Sequence, residues 1–274
     1  MNEVVQYPFS DNGLDEDPGR PLPRRIADLL LARIFMGELK PGDKLPPDRV
    51  LAEQLGVDRT SLRAALSELA GRNILKAVRG SGVVVLDYRE HAGLDFLDAV
   101  LGMSDIDLGS ALHLEILDHW VNVVPAVIRM ALRRATHTDL AALDSLFRSQ
   151  LDLMKQGAQL PELAAVEVEI QDYLVRLSGS TILMLAANSM RRSRVQFVTS
   201  FYRTVNVQEH ILAQRTLIRL VAAGGHTPDE IAERYRSYLL EHTRAHRARI
   251  ASQSPQPHRR APREDSPTLK KERT

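Results

Sequence analysis

A chain of 274 residues without a single cysteine has no disulfides, no thiolate metal site and no thiol redox sensor. Its 44% hydrophobic content suits a soluble protein that buries a core, in one large or two modest domains, and no apolar run is long enough to span a bilayer. With no signal peptide at the start, the expectation is a cytoplasmic protein with no membrane partner. The formal net charge of +1 hides an asymmetry: the segment after the N-terminal arm is mildly basic, as a small patch for nucleic acid has to be.

Residues 1–19 are acidic, carry Gly13, Pro18 and Gly19 and lack periodicity, which predicts a flexible arm. From Leu22 to Met36 the residues Leu22, Ile26, Leu29, Leu30 and Ile34 repeat at helical spacing, and Gly37 stops the helix. Leu39-Lys40-Pro41-Gly42 reads as a turn. A short helix follows. Pro46 and Pro47 open it, Asp48 suits its positive end, and Val50, Leu51 and Leu55 give its buried side. Gly56 can take the positive φ that closes it. Asp58 then stands where the N-cap of a second helix belongs. Arg59, Thr60, Ser61 and Arg63 fill the front of that helix, and Leu62, Ala65, Leu66 and Leu69 its back, before Gly71 ends it. Ile74 to Val78 and Val83 to Leu86 flank Arg79-Gly80-Ser81-Gly82 and read as a β-hairpin. Together these make a winged helix-turn-helix, which sets one helix in a DNA major groove and a basic wing tip by the minor groove.

The stretch from Leu22 to Leu86 resembles the GntR-type winged helix, through GELKPGDKLPPDRVLAEQLGVDRTSLRAALSELAGRNIL and the RGSG wing. The resemblance implies DNA contacts from Arg49, Arg59, Thr60, Ser61, Arg63, Arg79 and Gly80. Asp58 departs from a neutral cap and brings a negative charge near the phosphates. The other reading of each cation alone is a solvated surface charge, but their number on one face favours DNA.

After a short linker, Asp87 to Glu90, the chain reads as seven helices. They span about His91–Met103, Leu108–Ala135, Thr138–Lys155, Leu160–Leu177, Thr181–Tyr202, Val207–Ala223 and Thr227–Ile250. Thr138 with Asp139, and Thr227 with Glu230, are start signals; Gly157, Gly179 and Gly224-Gly225 are stops; Pro125 should kink the second helix. This pattern, with the AGLDFLDAVL opening and the LSGS break, resembles the FadR subfamily, whose effector domain is an antiparallel helical bundle. The implied fold is mainly α: a winged helix-turn-helix domain over residues 20–88 with a small hairpin wing, and a bundle of about seven helices over 89–250 that binds an effector and forms a homodimer.

One pocket type in this subfamily holds a metal through an Asp and three His and takes small carboxylates; another has no metal and takes long-chain acyl-CoA. Counted from Gly179, the Asp-x-x-x-His pair of the first type falls on Glu167 and Gln171. Counted from Gly225, the next His falls on Gln214 and the last near Leu239 or Leu240, with His242 one face off. Amides are poor ligands, so neither metal nor cofactor is expected. His119 and His210 are the histidines to check. The candidate effector residues are Trp120, Gln171, Arg194, Phe197, Tyr202 and Gln214, beside Val124, Leu174, Met184 and Phe201; an ordinary packed core is the other reading of the apolar ones. Trp120 stands where the subfamily usually has a polar or basic residue, which suggests an apolar effector. Gln171 and Gln214 would face each other, either pairing or holding a ligand's polar group. Arg191, Arg192, Arg194 and Arg203 form either a solvated face paired to carboxylates or an attraction for an anionic head such as the phosphates of CoA.

Residues 251–274 mix Pro, Ser and charge and predict a disordered, solubilising tail whose His258-Arg259-Arg260 and Lys270-Lys271 add at most weak DNA attraction. No catalytic residues are expected. Some GntR relatives carry an aminotransferase-like domain, but here Lys155 is the only lysine between Lys76 and Lys270 and lies at a polar helix end. The expectation is a transcription regulator that binds a near-palindromic double-stranded operator as a homodimer. Its effector would be a small molecule, a fatty acyl-CoA or another apolar-tailed metabolite. A small organic acid and a ligand-free dimerisation bundle are the alternatives.

Overall fold

The computed structural model describes residues 19–103 and 106–259. The flexible arm expected over residues 1–19 lies, apart from Gly19, outside the described residues, and so do residues 260–274 of the expected tail.

The N-terminal unit is built on α1 (Leu22–Phe35), α2 (Asp48–Leu55) and α3 (Arg59–Gly71). Gly56 closes α2 in the left-handed region at φ 65°, and Asp58 caps α3 by accepting from the Ser61 backbone N–H at 2.8 Å. Ile26, Leu30 and Ile34 of α1 join Leu51 and Leu55 of α2 and Leu62, Leu66 and Leu69 of α3 in one core. After α3 the chain turns through Asn73, whose φ of 56° is tolerated because Asn accepts the left-handed region better than most residues. Strands β1 (Leu75–Val78) and β2 (Gly82–Val85) then pair antiparallel, Leu75 against Val85 and Val78 against Gly82. Gly80, at φ 76°, lets the short loop between them close.

One feature was not expected from sequence. The lead-in around Pro41–Leu45 does more than turn: it lies along the free edge of β2. The Gly42 and Leu45 N–H groups donate to the carbonyls of Val85 and Val83, and the Val85 N–H donates to Asp43, all at 2.9 Å. This third ladder stiffens the wing.

Two short helices, α4 (Tyr88–His91) and α5 (Leu94–Leu101), replace the single helix expected from His91 to Met103, because Ala92 and Gly93 are extended. Phe96 of α5 stacks on Tyr88, with ring centroids 4.4 Å apart, and Phe35 of α1 tilts against both. Phe96 and Val100, with Ile106 and Leu108 beyond them, belong to the same core as α1–α3.

Strand β3 (Ile106–Asp107) leads into the helical body: α6 (Gly109–Leu132), α7 (His137–Lys155), α8 (Leu160–Ser178), α9 (Thr181–Ser189), α10 (Arg191–Tyr202), α11 (Val207–Ala222), α12 (Pro228–His242) and α13 (Arg244–Ala251). Helix α8 is central, packing on α6, α7 and α10, while α12 lies on α6 and α11 on α7. Leu117, Leu143, Phe147, Ile170, Phe201 and Tyr235 are among its fully buried core.

Local chemistry explains where the helices depart from expectation. Helix α6 runs on through the buried Pro125. Helix α7 is capped by Thr136, not Thr138, since the reciprocal bonds with Asp139 need a cap three residues earlier. The helix expected over Thr181–Tyr202 divides at Met190, and that over Thr227–Ile250 divides at Thr243, whose hydroxyl donates back to the Leu239 carbonyl at 2.6 Å.

The beginning of the tail is also ordered, contrary to the expected disorder from residue 251. Strand β4 (His258–Arg259) pairs antiparallel with β3, and the Ser110 N–H donates to the Ser254 carbonyl at 2.7 Å. Gly109 permits this for two reasons: its φ is +74°, and a Cβ there would lie 2.6 Å from the Gln256 carbonyl carbon. Polar composition suggested freedom, but partners for the backbone decide the matter.

Candidate functional sites: an exposed basic face and a buried cavity

Helix α3 presents its first turn and a half outward. Arg59, Thr60 and Arg63 are exposed and Ser61 is half-buried, its N–H held by Asp58. The hydrogen bonds from Ser61 hold the Asp58 carboxyl below its usual range, so it remains an anion and a firm cap. Arg63 Nε lies 2.8 Å from Asp48 Oδ2, and Arg49 Nη1 lies 2.9 Å from Glu53 Oε1. Such exposed ion pairs are weak, so both guanidinium groups exchange readily onto a phosphate or a base edge. Among the described residues Arg59 and Arg79 make no ion pair. Arg79 and Gly80 stand at the exposed wing tip. Lys44, which sequence reasoning missed, donates its Nζ to Ser81 Oγ at 3.4 Å and adds a cation at the wing. The signal for it was the alternation in the lead-in, visible only once that segment is taken as a strand.

In the body, α5, α6, α8, α9 and α10 enclose a cavity of about 300 Å³. Trp120, Val124, Gln171, Leu174, Arg194 and Phe197 line it; Phe201, Tyr202 and Gln214 do not. Its wall is largely apolar. Trp120 meets Phe197 and Phe201 edge-on at 5.4 and 4.9 Å, which fixes the indole. His119 is an exposed residue at its border. Leu94 and Leu101 of α5 line it too, on the same short helix that sends Phe96 and Val100 into the N-terminal core.

Behind the cavity lies a polar cluster. Gln171 and Gln214 are both buried, but they do not pair with each other. Both donate to the buried Glu167 carboxyl, at 3.5 and 3.2 Å, and Tyr202 donates to it at 3.2 Å. Gln150 supports Tyr202 at 3.0 Å. Burial pushes the Glu167 carboxyl up, and the side chains donating to it oppose that rise. Gln214 Nε2 lies 2.6 Å from His210 Nε2, and the other ring nitrogen is 2.9 Å from the Tyr238 hydroxyl. An amide nitrogen donates, so His210 Nε2 accepts and its proton sits on Nδ1. Burial, and to a lesser degree His242, holds His210 down to about 3, consistent with that neutral ring.

These residues do not fit a metal. One carboxyl, two amides and the buried aliphatic Leu239 fall on the ligand positions, while His242 stacks on Tyr238 with ring centroids 3.9 Å apart. Among the described residues no cluster of three His, Cys, Asp or Glu is placed to hold an ion. The arginines of α10 divide their roles. Arg191 and Arg194 both meet the buried Asp172, Arg191 at 2.7 Å, whereas Arg192 and Arg203 are exposed. Asp172, Gln150 and Tyr238 were not singled out from sequence, because each acts only through a partner on another helix.

Among the described residues no helix is long and apolar enough to cross a membrane. Residues 22–85 match the family model for bacterial regulatory proteins of the gntR family. A transcriptional regulator of Mycobacterium tuberculosis named Mce2R is 34% identical over 172 residues, 63% of this chain and 70% of that one. A fatty acid metabolism regulator protein of Klebsiella pneumoniae is 28% identical over 212 residues, covering 77% of this chain and 84% of its own length. Among solved structures, that of Lar, described as controlling the agr system of Listeria monocytogenes, shares the fold with a TM-score of 0.52 at 20% identity, covering 84% of this chain and 98% of that one. An exposed, capped helix with basic and hydroxyl groups at its front, a basic wing beside it and these likenesses agree: the chain belongs to the GntR family of DNA-binding transcriptional regulators.

Proposed function

We propose that this regulator acts in the cytoplasm as a homodimer on a near-palindromic operator, and that a small molecule in the helical body modulates it. The observation that carries the DNA part is the common exposed face of Arg59, Thr60 and Arg63 on α3, with Arg79 and Gly80 on the wing. Residues 20–88 supply this reading head, with Arg49 and Ser61 as flanking contacts, and residues 89–250 supply the effector and dimer body. Guanidinium groups fork onto guanine or phosphate, and hydroxyls donate to phosphate. One such head buries little surface, and pairing two heads on related half-sites supplies the missing selectivity.

Trp120, Gln171, Arg194 and Phe197 are the effector residues on this reading, with Tyr202 and Gln214 behind them as supports for Glu167. An apolar wall suits an acyl or similar tail. A fatty acyl-CoA is one form of such an effector, and its chain, not its nucleotide, is what the wall suits. Helix α5 offers the link between ligand and DNA, since it touches the cavity with one face and the N-terminal core with the other. A ligand favouring a shifted α5 weakens or strengthens operator binding by the difference in its affinity for the two states, typically about 1–3 kcal/mol.

Selection of bound duplexes from a random pool by the purified protein tests this reading. A two-fold symmetric sequence bound by two chains is expected. Recovery of random sequences, or of a half-site bound by one chain, would refute it.

A further inference from the structure

Two buried N–H groups of cavity-lining residues lack a hydrogen-bond partner: Nε1 of Trp120 and Nε of Arg194. Trp120 is only 8% exposed, so water does not serve it. Buried donors are nearly always paired in folded proteins, and an unmet one is costly. The neighbours are already committed. The Gln171 oxygen accepts from Arg194 Nη1 at 3.4 Å and its nitrogen donates to Glu167. The Ala187 carbonyl accepts from Arg194 Nη2 at 3.1 Å. The two oxygens of Asp172 are divided between Arg191 and Arg194.

Charge points the same way as the donors. Two arginines share one aspartate, which leaves the α8–α10 wall with one positive charge in excess. Glu167 does not cancel it, because burial pushes that carboxyl towards its neutral form. Beyond this end the cavity is apolar, and its volume of about 300 Å³ holds roughly 10–15 non-hydrogen atoms at close packing. That is far too few for a nucleotide together with a chain.

Resting on the effector reading of the body, we propose that the cavity takes a free, apolar-chained monocarboxylate whole. Its carboxylate accepts from Trp120 Nε1–H and from the Arg194 guanidinium, and its chain runs along Val124, Leu174 and Phe197. A coenzyme A ester lacks the carboxylate and carries a head the cavity has no space for. A small dicarboxylate places a second charge against apolar wall, which is unfavourable.

Titration of the full-length protein with decanoate, methyl decanoate, decanoyl-CoA and succinate tests the assignment, read by calorimetry and by affinity for the selected operator. Decanoate should bind at least about 10-fold more tightly than the other three, the discrimination expected of a hydrogen bond to a charged group. Trp120→Phe keeps the ring and removes the N–H; it should weaken decanoate about 10-fold and leave methyl decanoate unchanged. If that variant fails to fold by circular dichroism, the ligand series on the unaltered protein decides alone. Methyl decanoate or decanoyl-CoA binding as tightly as decanoate would overturn the carboxylate assignment while leaving an effector site in place. If none of the four binds or changes operator affinity, the effector reading fails, and this assignment with it.

Discussion

In the N-terminal unit the chemistry is local and wet: Arg59, Thr60, Ser61 and Arg63 follow one another on α3 behind a single cap, and three of the four are exposed. In the body it is dispersed and largely dry. Trp120, Gln171 and Arg194 come from α6, α8 and α10, and the groups that hold them come from further helices. A site made from consecutive residues depends on one helix's phase and cap. A site made from distant ones depends on the whole packing, so it is tied to stability. The contrast predicts that changes in the body act first on folding, and changes on the head act on DNA binding alone.

The largest effect should come from the body. Phe201 is 1% exposed and packs against Trp120 and His210. Phe201→Ala should cost about 3–5 kcal/mol, measured by urea unfolding. A loss below roughly 1 kcal/mol, the size of an ordinary surface change, would mean that the body is not tightly packed there.

The buried histidine sharpens the contrast through pH. His210 is held down to about 3, below its ordinary value of 6.5. Between these values the unfolded chain binds a proton that the folded one refuses. Stability therefore falls as pH drops from 6.5 towards 3, at up to about 1.4 kcal/mol per unit, and no further below. Glu167 has the opposite sign: its raised value adds stability as pH falls through it. His210→Gln should flatten the acid loss in a pH series of denaturation midpoints. An unchanged slope would mean that another group carries the acid loss.

On the head, Arg63→Ala should weaken operator binding by about 1–3 kcal/mol while leaving the thermal midpoint in place, because its partner Asp48 forms only an exposed pair. Fluorescence anisotropy and thermal unfolding on the same sample check both halves. Lys44→Ala should do least, reducing the salt dependence of binding by about one contact without altering sequence preference. A change in preferred sequence would instead make Lys44 a base reader.

The difference between the regions also governs what the sequence discloses. Asp58 as cap, Gly56 as left-handed stop and the Leu62–Leu69 stripe are decided by neighbours within a few residues, and each is found where those neighbours dictate. The pairing of Asp43 and Leu45 with β2 is settled across some forty residues of chain, and so escaped notice. In the body the helices were legible from apolar spacing, but their breaks at Met190 and Thr243 were not, since no glycine or proline marks them. Gln171 and Gln214 stood out as uncomfortable in a core. Their meeting point, Glu167, was marked only as a failed metal ligand, because convergence on one carboxyl is a property of packed helices and not of spacing. The ordered start of the tail was hidden for the same reason: Gly109 announces a turn, not the Gln256 backbone that fills the space beside it.

The most direct test concerns the front of α3. Operator affinity of the double variant Arg59→Ala, Arg63→Ala should be compared with that of the unaltered protein, on the selected operator and on a scrambled duplex, with thermal unfolding in parallel. The account predicts that discrimination between the two duplexes drops by a factor of about 100 or more, as two lost base or phosphate contacts imply, at an unchanged midpoint. Operator affinity equal to that of the unaltered protein would contradict it.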